Sequence, residues 1–323
     1  MPSEAQFGLL ARHRQASRQI ESPRQSERSN VRVLVLGGSG MLGHKLWQRL
    51  REKHDTYITL RRPRSSYASC ALFDATRTID TIDASNASDL DRVFEWARPD
   101  LVINAIGLVK QLQRTVRTAE YVRTNALLPH ELEARCIRTG ARLIHISTDC
   151  VFSGAKGDYT EEDNPDPVDD YGRTKLLGEV NGPSCLTIRT SMIGRELEGH
   201  AGLVEWFRSQ AGTSVFGYRE AVFSGLSTIS LAALLEDIAE NHPTLNGVWH
   251  VSADRITKYD LLILLNEQFR LGVTIEAETR TKCDRSLDSR RFRERTGFRP
   301  KTWAAMIQGI VEDPTPYDLW NPA

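Results

Sequence analysis

The sequence predicts an α/β fold: a doubly wound parallel sheet with a smaller, interleaved carboxyl-terminal α/β lobe. Three observations lead there. Apolar strand-like runs alternate with helical patterns from Val31 onward, a glycine-rich turn follows the first run, and that turn opens directly into an amphipathic helix. Strand and helix in this rhythm give a parallel sheet covered on both faces.

The elements can be taken in order. "VRVLVLGG" reads as a buried strand entering the turn, and "MLGHKLWQRLREK" as a helix. "TYITL" is a second strand, followed by a polar, irregular stretch over 61–77. "TIDTID" predicts a third strand and "ASDLDRVFEWARPD" a helix ending near Pro99. "DLVINAIG" is the fourth strand, "YVRTNALLPHELEARCIRTG" a helix stopped by Gly140, and "ARLIHIST" the fifth strand. A helix begins around Tyr171, and "SCLTIRT" is the next strand. "LVEWFRSQ" reads as helix. "TISLAALLEDIAENH" is an amphipathic helix capped at Thr228 or Ser230. "GVWHVSA" is a strand, and "TKYDLLILLNEQF" a helix with a capping-box-like Thr257…Asp260. "VTIEAE" reads as a strand, "SRRFRERTG" and "TWAAMIQGIVE" as short helices. The expected organisation is a dinucleotide-binding domain over 31–190, with 225–245 packing on it. A substrate lobe follows over 191–224 and 246–312, then a tail over 313–323. Residues 1–30, rich in Arg, Ser and Gln, read as a disordered extension.

Bulk properties narrow the function. The 323 residues carry 42 basic and 42 acidic side chains, so net charge gives no support for nucleic-acid binding. No apolar run is long enough to span a bilayer. The five cysteines are scattered and form no C-x-x-C pair, which argues against both a disulfide framework and a structural zinc site. Reduced thiols, a cytoplasmic protein and no dedicated metal site are expected.

The turn "LGGSGMLG" admits two readings: Gly38, Gly40 and Gly43 as G-x-G-x-x-G, or Gly37, Gly40 and Gly43 as G-x-x-G-x-x-G. Either brings the backbone of Gly40, Met41, Leu42 and Gly43 to a pyrophosphate at a helix start. The second strand ends in Arg61 and Arg62. An acidic residue there would bind a ribose 2′-hydroxyl, whereas arginine accommodates a 2′-phosphate, so NADPH is the expected cofactor, with NADH as the alternative. Asp83 and Ala84 lie where the third strand should end, in reach of an adenine edge; Asp83 reads equally as a neighbour of a helix cap.

In "DDYGRTKLLGE", Tyr171 and Lys175 are four residues apart, which on a helix puts them on one face. Thr148 follows the fifth strand, where a hydroxyl can face the cleft. With "GGSGMLG", "NAIG", "STDCVF" and "YGRTK" in order, the chain resembles the extended short-chain dehydrogenase/reductase family, and more closely its dTDP-4-dehydrorhamnose reductase group. The matching motifs are "STD-x-VF-x-G" at 147–154, "YG-x-[ST]-K-x-x-GE" at 171–179 and "RTS" at 189–191. "GVWH", "TKYDLL" and "SLDSRRF" are similar to the group's carboxyl half. The resemblance implies a Rossmann-type fold and a sugar-nucleotide reductase. It implies that Thr148 hydrogen-bonds the substrate carbonyl and Tyr171 donates the proton. Lys175 then holds the nicotinamide ribose and lowers the tyrosine pKa. Asn104, Ala105, Ile106 and Gly107 form a cofactor-side strand end, and Asn125 supports the site. Asp149 and Cys150 face the sugar. A homodimer is implied by the resemblance alone.

Two positions depart from that group. Cys150 stands where an aromatic residue is common after "STD", and Met192, after Ser191, where a tryptophan is common. Both are smaller, so the sugar pocket differs. Cys150 has no His partner that would make it a nucleophile. Lys110, Arg195 and Arg285 are candidates to meet the substrate diphosphate; for each, a solvated surface role is the competing reading. His145 and His250, inside apolar strands, read as core or supporting residues. The leading expectation is NADPH-dependent reduction of a nucleotide-linked 4-keto-6-deoxy sugar, with hydride from NADPH and a proton from Tyr171. One alternative is an NAD-retaining epimerase or dehydratase, which Asp149 partly fits. Another is a non-catalytic regulatory subunit of a methionine adenosyltransferase.

Overall fold

A computed structural model describes residues 30–112 and 115–320; the extension expected over 1–30, all but its last residue, and the last three residues of the tail lie outside the described residues. Seven parallel strands form the central sheet: β1 (Arg32–Leu36), β2 (Asp55–Thr59), β3 (Thr78–Ile79), β4 (Leu101–Asn104), β5 (Arg142–Ile146), β6 (Cys185–Arg189) and β11 (Gly247–His250). Their spatial order is β11-β6-β5-β4-β1-β2-β3. The chain runs outward from β1 to β3, then returns to the other side of β1 with β4. Ligands of such sheets bind where that reversal opens a crevice at the carboxyl ends.

The continuous apolar strands are explained by burial on both faces. In β1, Val33 and Val35 join one core cluster and Leu34 and Leu36 the other. Leu46, Trp47 and Leu50 of α1 (Gly43–Leu50) cover the first face together with Leu231, Leu235 and Ile238 of α7 (Thr228–Asn241). The second face is covered by Leu90, Val93 and Phe94 of α2 (Ala87–Ala97) and by Leu128, Leu132 and Cys136 of α4 (Leu128–Thr139). Each such fully buried aliphatic side chain contributes about 2 kcal/mol. Arg49 and Lys53 at the end of α1 pair with Glu236 of α7, fixing the 225–245 segment on the sheet.

The smaller lobe carries short strand pairs. β7 (Met192–Ile193) pairs β10 (Leu226–Ser227), β8 (Ser214–Tyr218) pairs β13 (Thr274–Glu278), and β9 (Ala221–Phe223) lies between β12 (Ile256–Thr257) and β14 (Cys283–Asp284). Helices α6 (Leu203–Arg208), α8 (Lys258–Phe269), α9 (Arg290–Thr296) and α10 (Trp303–Val311) complete it. Leu261, Leu265, Met306 and Ile307 run into the same core as α1 and α7. The lobe therefore shares the sheet's core.

Several expectations change in detail. The sheet takes Gly247–His250 from the stretch assigned to the smaller lobe. β3 is two residues long because Thr81 adopts φ +58 and Asp80 turns to accept the Arg64 N–H. The cap of α7 is Ser227, whose hydroxyl accepts the Ser230 N–H at 3.2 Å. Thr257 does cap α8, accepting the Asp260 N–H at 3.0 Å. The tail is anchored: Lys45 pairs with Asp313, Tyr317 meets His44 Nε2 at 2.7 Å, and α11 (Tyr317–Trp320) is the last described element.

The helix expected across 121–140 is interrupted. A short α3 (Thr118–Tyr121) passes into a π turn over Val122–Leu127 before α4 begins. Pro129 has no N–H to give the Asn125 carbonyl four residues back, and the chain widens there. Gly178, ending α5 (Asp170–Leu177), packs against that same carbonyl, so closely that a methyl group would overlap it. Gly178→Ala is expected to push α5 off the π turn and cost about 2 kcal/mol. Urea unfolding checks this, and unchanged stability would refute the contact.

Candidate active site

Helix α5 begins where the Asp169 carboxylate accepts the Gly172 N–H at 2.8 Å. That cap puts Tyr171 in the first turn and Lys175 one turn later, on the side facing β5. Lys175 is buried; its Nζ donates to the Ile146 carbonyl at 2.6 Å and lies 3.3 Å from His145 Nε2. Thr148, two residues past β5, accepts the Cys150 N–H at 3.1 Å, donates to the Asp149 carboxylate at 3.2 Å and faces the Tyr171 phenol, whose ionisation it favours. Thr148, Tyr171 and Lys175 thus converge at the carboxyl end of β5.

Burial dominates the electrostatics. It raises the Tyr171 phenol above its ordinary value, helped by the Cys150 thiol, while the Thr148 hydrogen bond opposes the shift. The sequence reading has Lys175 pulling that phenol toward neutrality; in the protein alone burial outweighs this, and Tyr171 is held in its protonated form. Lys175 itself falls to about 8 because its ammonium is desolvated, with the Glu179 carboxylate opposing. Asp149 is raised by burial against the pull of Arg285.

The glycine turn abuts this region. Gly37, at φ +85, touches Ala105 and Ile106 past the end of β4, and Gly43 sits so close to the Gly37 carbonyl that no side chain fits. Helix α1 starts with no side-chain cap at Leu42. Its first N–H groups, around Met41 to Gly43, are left for an outside acceptor. Gly40 itself is open to that side, its nearest neighbour being the Gly37 carbonyl oxygen. These residues fit a dinucleotide diphosphate. Past β2, Arg61 is exposed and its charge acts on Asp83. The Asp83 carboxylate accepts from the Ser85 N–H and hydroxyl, making the turn that leads into α2, and Ala84 packs on the core beneath it. Arg62 is held in a two-pronged ion pair with Glu198 at 2.7 and 2.8 Å.

The substrate candidates divide. Asp149 and the half-buried Cys150 follow Thr148, and Arg285, whose Nε donates to the Phe152 carbonyl, acts on both. Lys110 pairs with Asp169 at 2.7 Å and its charge reaches Cys150. Ser191 and Met192 are half-buried at the start of β7, where Ser191 O accepts the Leu226 N–H. Arg195 lies apart, buried between Glu205 and Asp318 and stacked 4.6 Å over Tyr317. A hollow of about 340 Å³, lined by Tyr121, Asp169, Asp170 and Arg173, borders the start of α5. A larger one of about 650 Å³ around Pro99 and Arg138 lies at the amino ends of the strands, away from this chemistry.

Asn125 has a firmer place than the sequence gives it. The π turn aims its side chain at the loop after β4, where Oδ1 accepts the Leu108 N–H at 2.9 Å and Nδ2 donates to the Leu108 carbonyl at 3.0 Å. Proline four residues later is the sequence signal for that turn. Glu198 and Asp169 were not singled out as site residues; Glu198 meets Arg62 and Asp169 meets Lys110, partners distant in the chain. Among the described residues no cluster of His, Cys, Asp and Glu could hold a metal ion, and no helix is long and apolar enough to cross a membrane.

The model of the RmlD substrate binding domain family matches residues 31–315. Methionine adenosyltransferase 2 subunit beta from Bos taurus is 27% identical over 265 residues, covering 75% of this chain and 73% of its own length. A hypothetical dTDP-4-dehydrorhamnose reductase from Sulfolobus tokodaii superposes with a TM-score of 0.70 at 27% identity, over 84% of this chain and 98% of that one. The dTDP-4-dehydrorhamnose reductase from Bacillus anthracis, solved in complex with NADP, gives 0.71 at 20% identity, over 87% and 98%; at that identity the likeness is one of fold.

Removing the Asn125 side chain leaves both backbone groups of Leu108 without their partners. Asn125→Ala is expected to cost about 2 kcal/mol, with Asn125→Asp, which keeps the acceptor, falling between it and the native chain. Chemical denaturation gives the order, and equal stabilities would refute the clamp.

Proposed function

The chain belongs to the RmlD substrate binding domain family, and on that premise we propose that it is an NADPH-dependent reductase of a nucleotide-linked 4-keto-6-deoxy sugar. One observation carries the reading: Thr148, Tyr171 and Lys175 meet beside the strand ends that the glycine turn touches. NADPH, when bound, supplies the hydride.

The chain's own residues do the rest. Thr148 orients the ketone oxygen by a hydrogen bond. Tyr171, held protonated by burial, is the acid that quenches the developing alkoxide. Lys175 places a cation next to that acid and at the ribose side of the cofactor. Asn125 fixes the loop through Leu108. The glycine turn receives the diphosphate, while Arg61, near Asp83, faces the adenosine 2′-phosphate. Asp149, Cys150, Ser191 and Met192 bound the sugar, and Lys110 and Arg285 meet its diphosphate. The placement of Arg195 gives that residue a structural role.

A second reading is favoured by the likeness to the methionine adenosyltransferase subunit. It makes the chain a regulatory partner of a synthetase, with the cofactor site retained for stability. Copurification with such a synthetase, together with no oxidation of NADPH by any nucleotide 4-keto sugar, would decide for it. An epimerase or dehydratase with retained NAD has less support, since Cys150 stands where a second acidic residue would follow Asp149.

Tyr171→Phe is expected to lower turnover by about 10³-fold while leaving NADPH binding intact. Steady-state oxidation of NADPH against a panel of nucleotide 4-keto sugars tests this, and full activity would remove Tyr171 as the acid. Replacing Arg61 and Arg62 together by Ala is expected to weaken NADPH by about tenfold and NADH much less. Fluorescence titration reads both, and equal losses would sink the 2′-phosphate assignment.

A further inference from the structure

Behind the Tyr171 face runs a line of buried polar groups of which the reaction as described uses only Lys175. Asn104 ends β4, His145 lies in β5 and Lys175 in α5, and all are buried. Asn104 Oδ1 accepts the Ile106 N–H at 3.1 Å, which turns its amide nitrogen toward His145 Nδ1, also at 3.1 Å. An amide nitrogen only donates, so Nδ1 is the bare ring nitrogen and the proton of a neutral imidazole sits on Nε2. That Nε2 faces Lys175 Nζ at 3.3 Å.

The contact is satisfied in one protonation state of Lys175. An ammonium has no lone pair, so it meets Nε2–H donor to donor. A neutral amine accepts from Nε2–H while still donating to the Ile146 carbonyl at 2.6 Å. We propose that His145, locked in its Nε2–H form by Asn104, is a positioning residue that sets the proton affinity of Lys175 and makes it a titrating member of the site. The ring is held neutral, well below the ordinary histidine range, by burial first and by the Lys175 charge second.

The other groups around Lys175 do not remove the effect. Glu179 favours the ammonium, but its carboxylate is shared with Arg189 of β6, at 2.8 and 2.7 Å, and with the Ser147 hydroxyl just past β5 at 2.7 Å. Tyr171 lies one turn earlier on α5. From α4, His130 acts on His145 and opposes its protonation.

The proposal rests on the reductase reading only for its kinetic consequence, and the test is arranged accordingly. The full-length chain is labelled with ¹⁵N-histidine and ¹³Cε-lysine. Long-range ¹⁵N–¹H spectra are expected to give the Nε2–H pattern for His145, with no imidazolium, between about pH 6 and 9. The Lys175 resonance is expected to titrate at about 8. In His145→Gln the carboxamide can turn its oxygen to the ammonium, and the midpoint is expected to rise by about one unit. An Nδ1–H pattern in the native chain overturns the proposal, as does an unmoved midpoint in the folded variant. If His145→Gln does not fold, the native tautomer decides alone. Where turnover is measurable, the alkaline limb of kcat/KM moves up with the same shift. The expected spectra without turnover support the proposal and sink only the reductase reading.

Discussion

Burying a lysine ammonium at the end of a parallel strand is the constraint on which the site is built. Water would solvate that charge far better than a protein interior does, so its burial must be offset by bonds of fixed geometry. Lys175 finds one in the Ile146 carbonyl at the end of β5. The bond ties α5 to the end of β5, and the same helix carries Tyr171 one turn away. Thr148 is set two residues beyond Ile146. Placing the cation therefore places the phenol and the hydroxyl with it, which is why a spacing of four on a helix and a short step past a strand bring the three side chains together.

The support for this arrangement is layered by charge. Nearest the centre, burial opposes ionisation, keeping Tyr171 protonated and lowering Lys175. One layer out, complete ion pairs take over: Arg189 with Glu179 below α5, and Lys110 with Asp169 at its cap. Farther still, Lys45 with Asp313 ties the tail to α1, and Arg195, between Glu205 and Asp318, ties the smaller lobe to the tail. Removing one partner from such a buried pair costs more than the pair contributes. The outer layers accordingly fix geometry more than they add stability.

The fold was legible because both-face burial writes an uninterrupted apolar run into each strand, as in "VRVLVL" and "DLVINAIG". Tyr171, Lys175 and Thr148 were legible because their relation is local to one helix and one strand end. What was not legible depends on distant partners. Arg195 reads as a loop cation until Glu205 and Asp318 are seen to enclose it, and Arg62 reads as free until Glu198 meets it. The shortness of β3 depended on the backbone of Thr81, and the π turn on a missing N–H at Pro129. Neither changes the apolar pattern on which an element is recognised.

The Arg62–Glu198 pair bears on cofactor choice. Both side chains are about half exposed, so the pair is weak in water and easily exchanged. A 2′-phosphate carries more negative charge than a carboxylate and can accept several bonds from a guanidinium. A phosphate-bearing cofactor has the means to displace Glu198 from Arg62, whereas a ribose hydroxyl does not. With Arg61 close to Asp83 and Arg62 held by Glu198, the two arginines are unequal: among the described residues only Arg62 of the two is in an ion pair. Glu198 belongs to the smaller lobe, so the pair joins the turn after β2 to that lobe; on the NADPH reading proposed above, the exchange would couple cofactor binding to it.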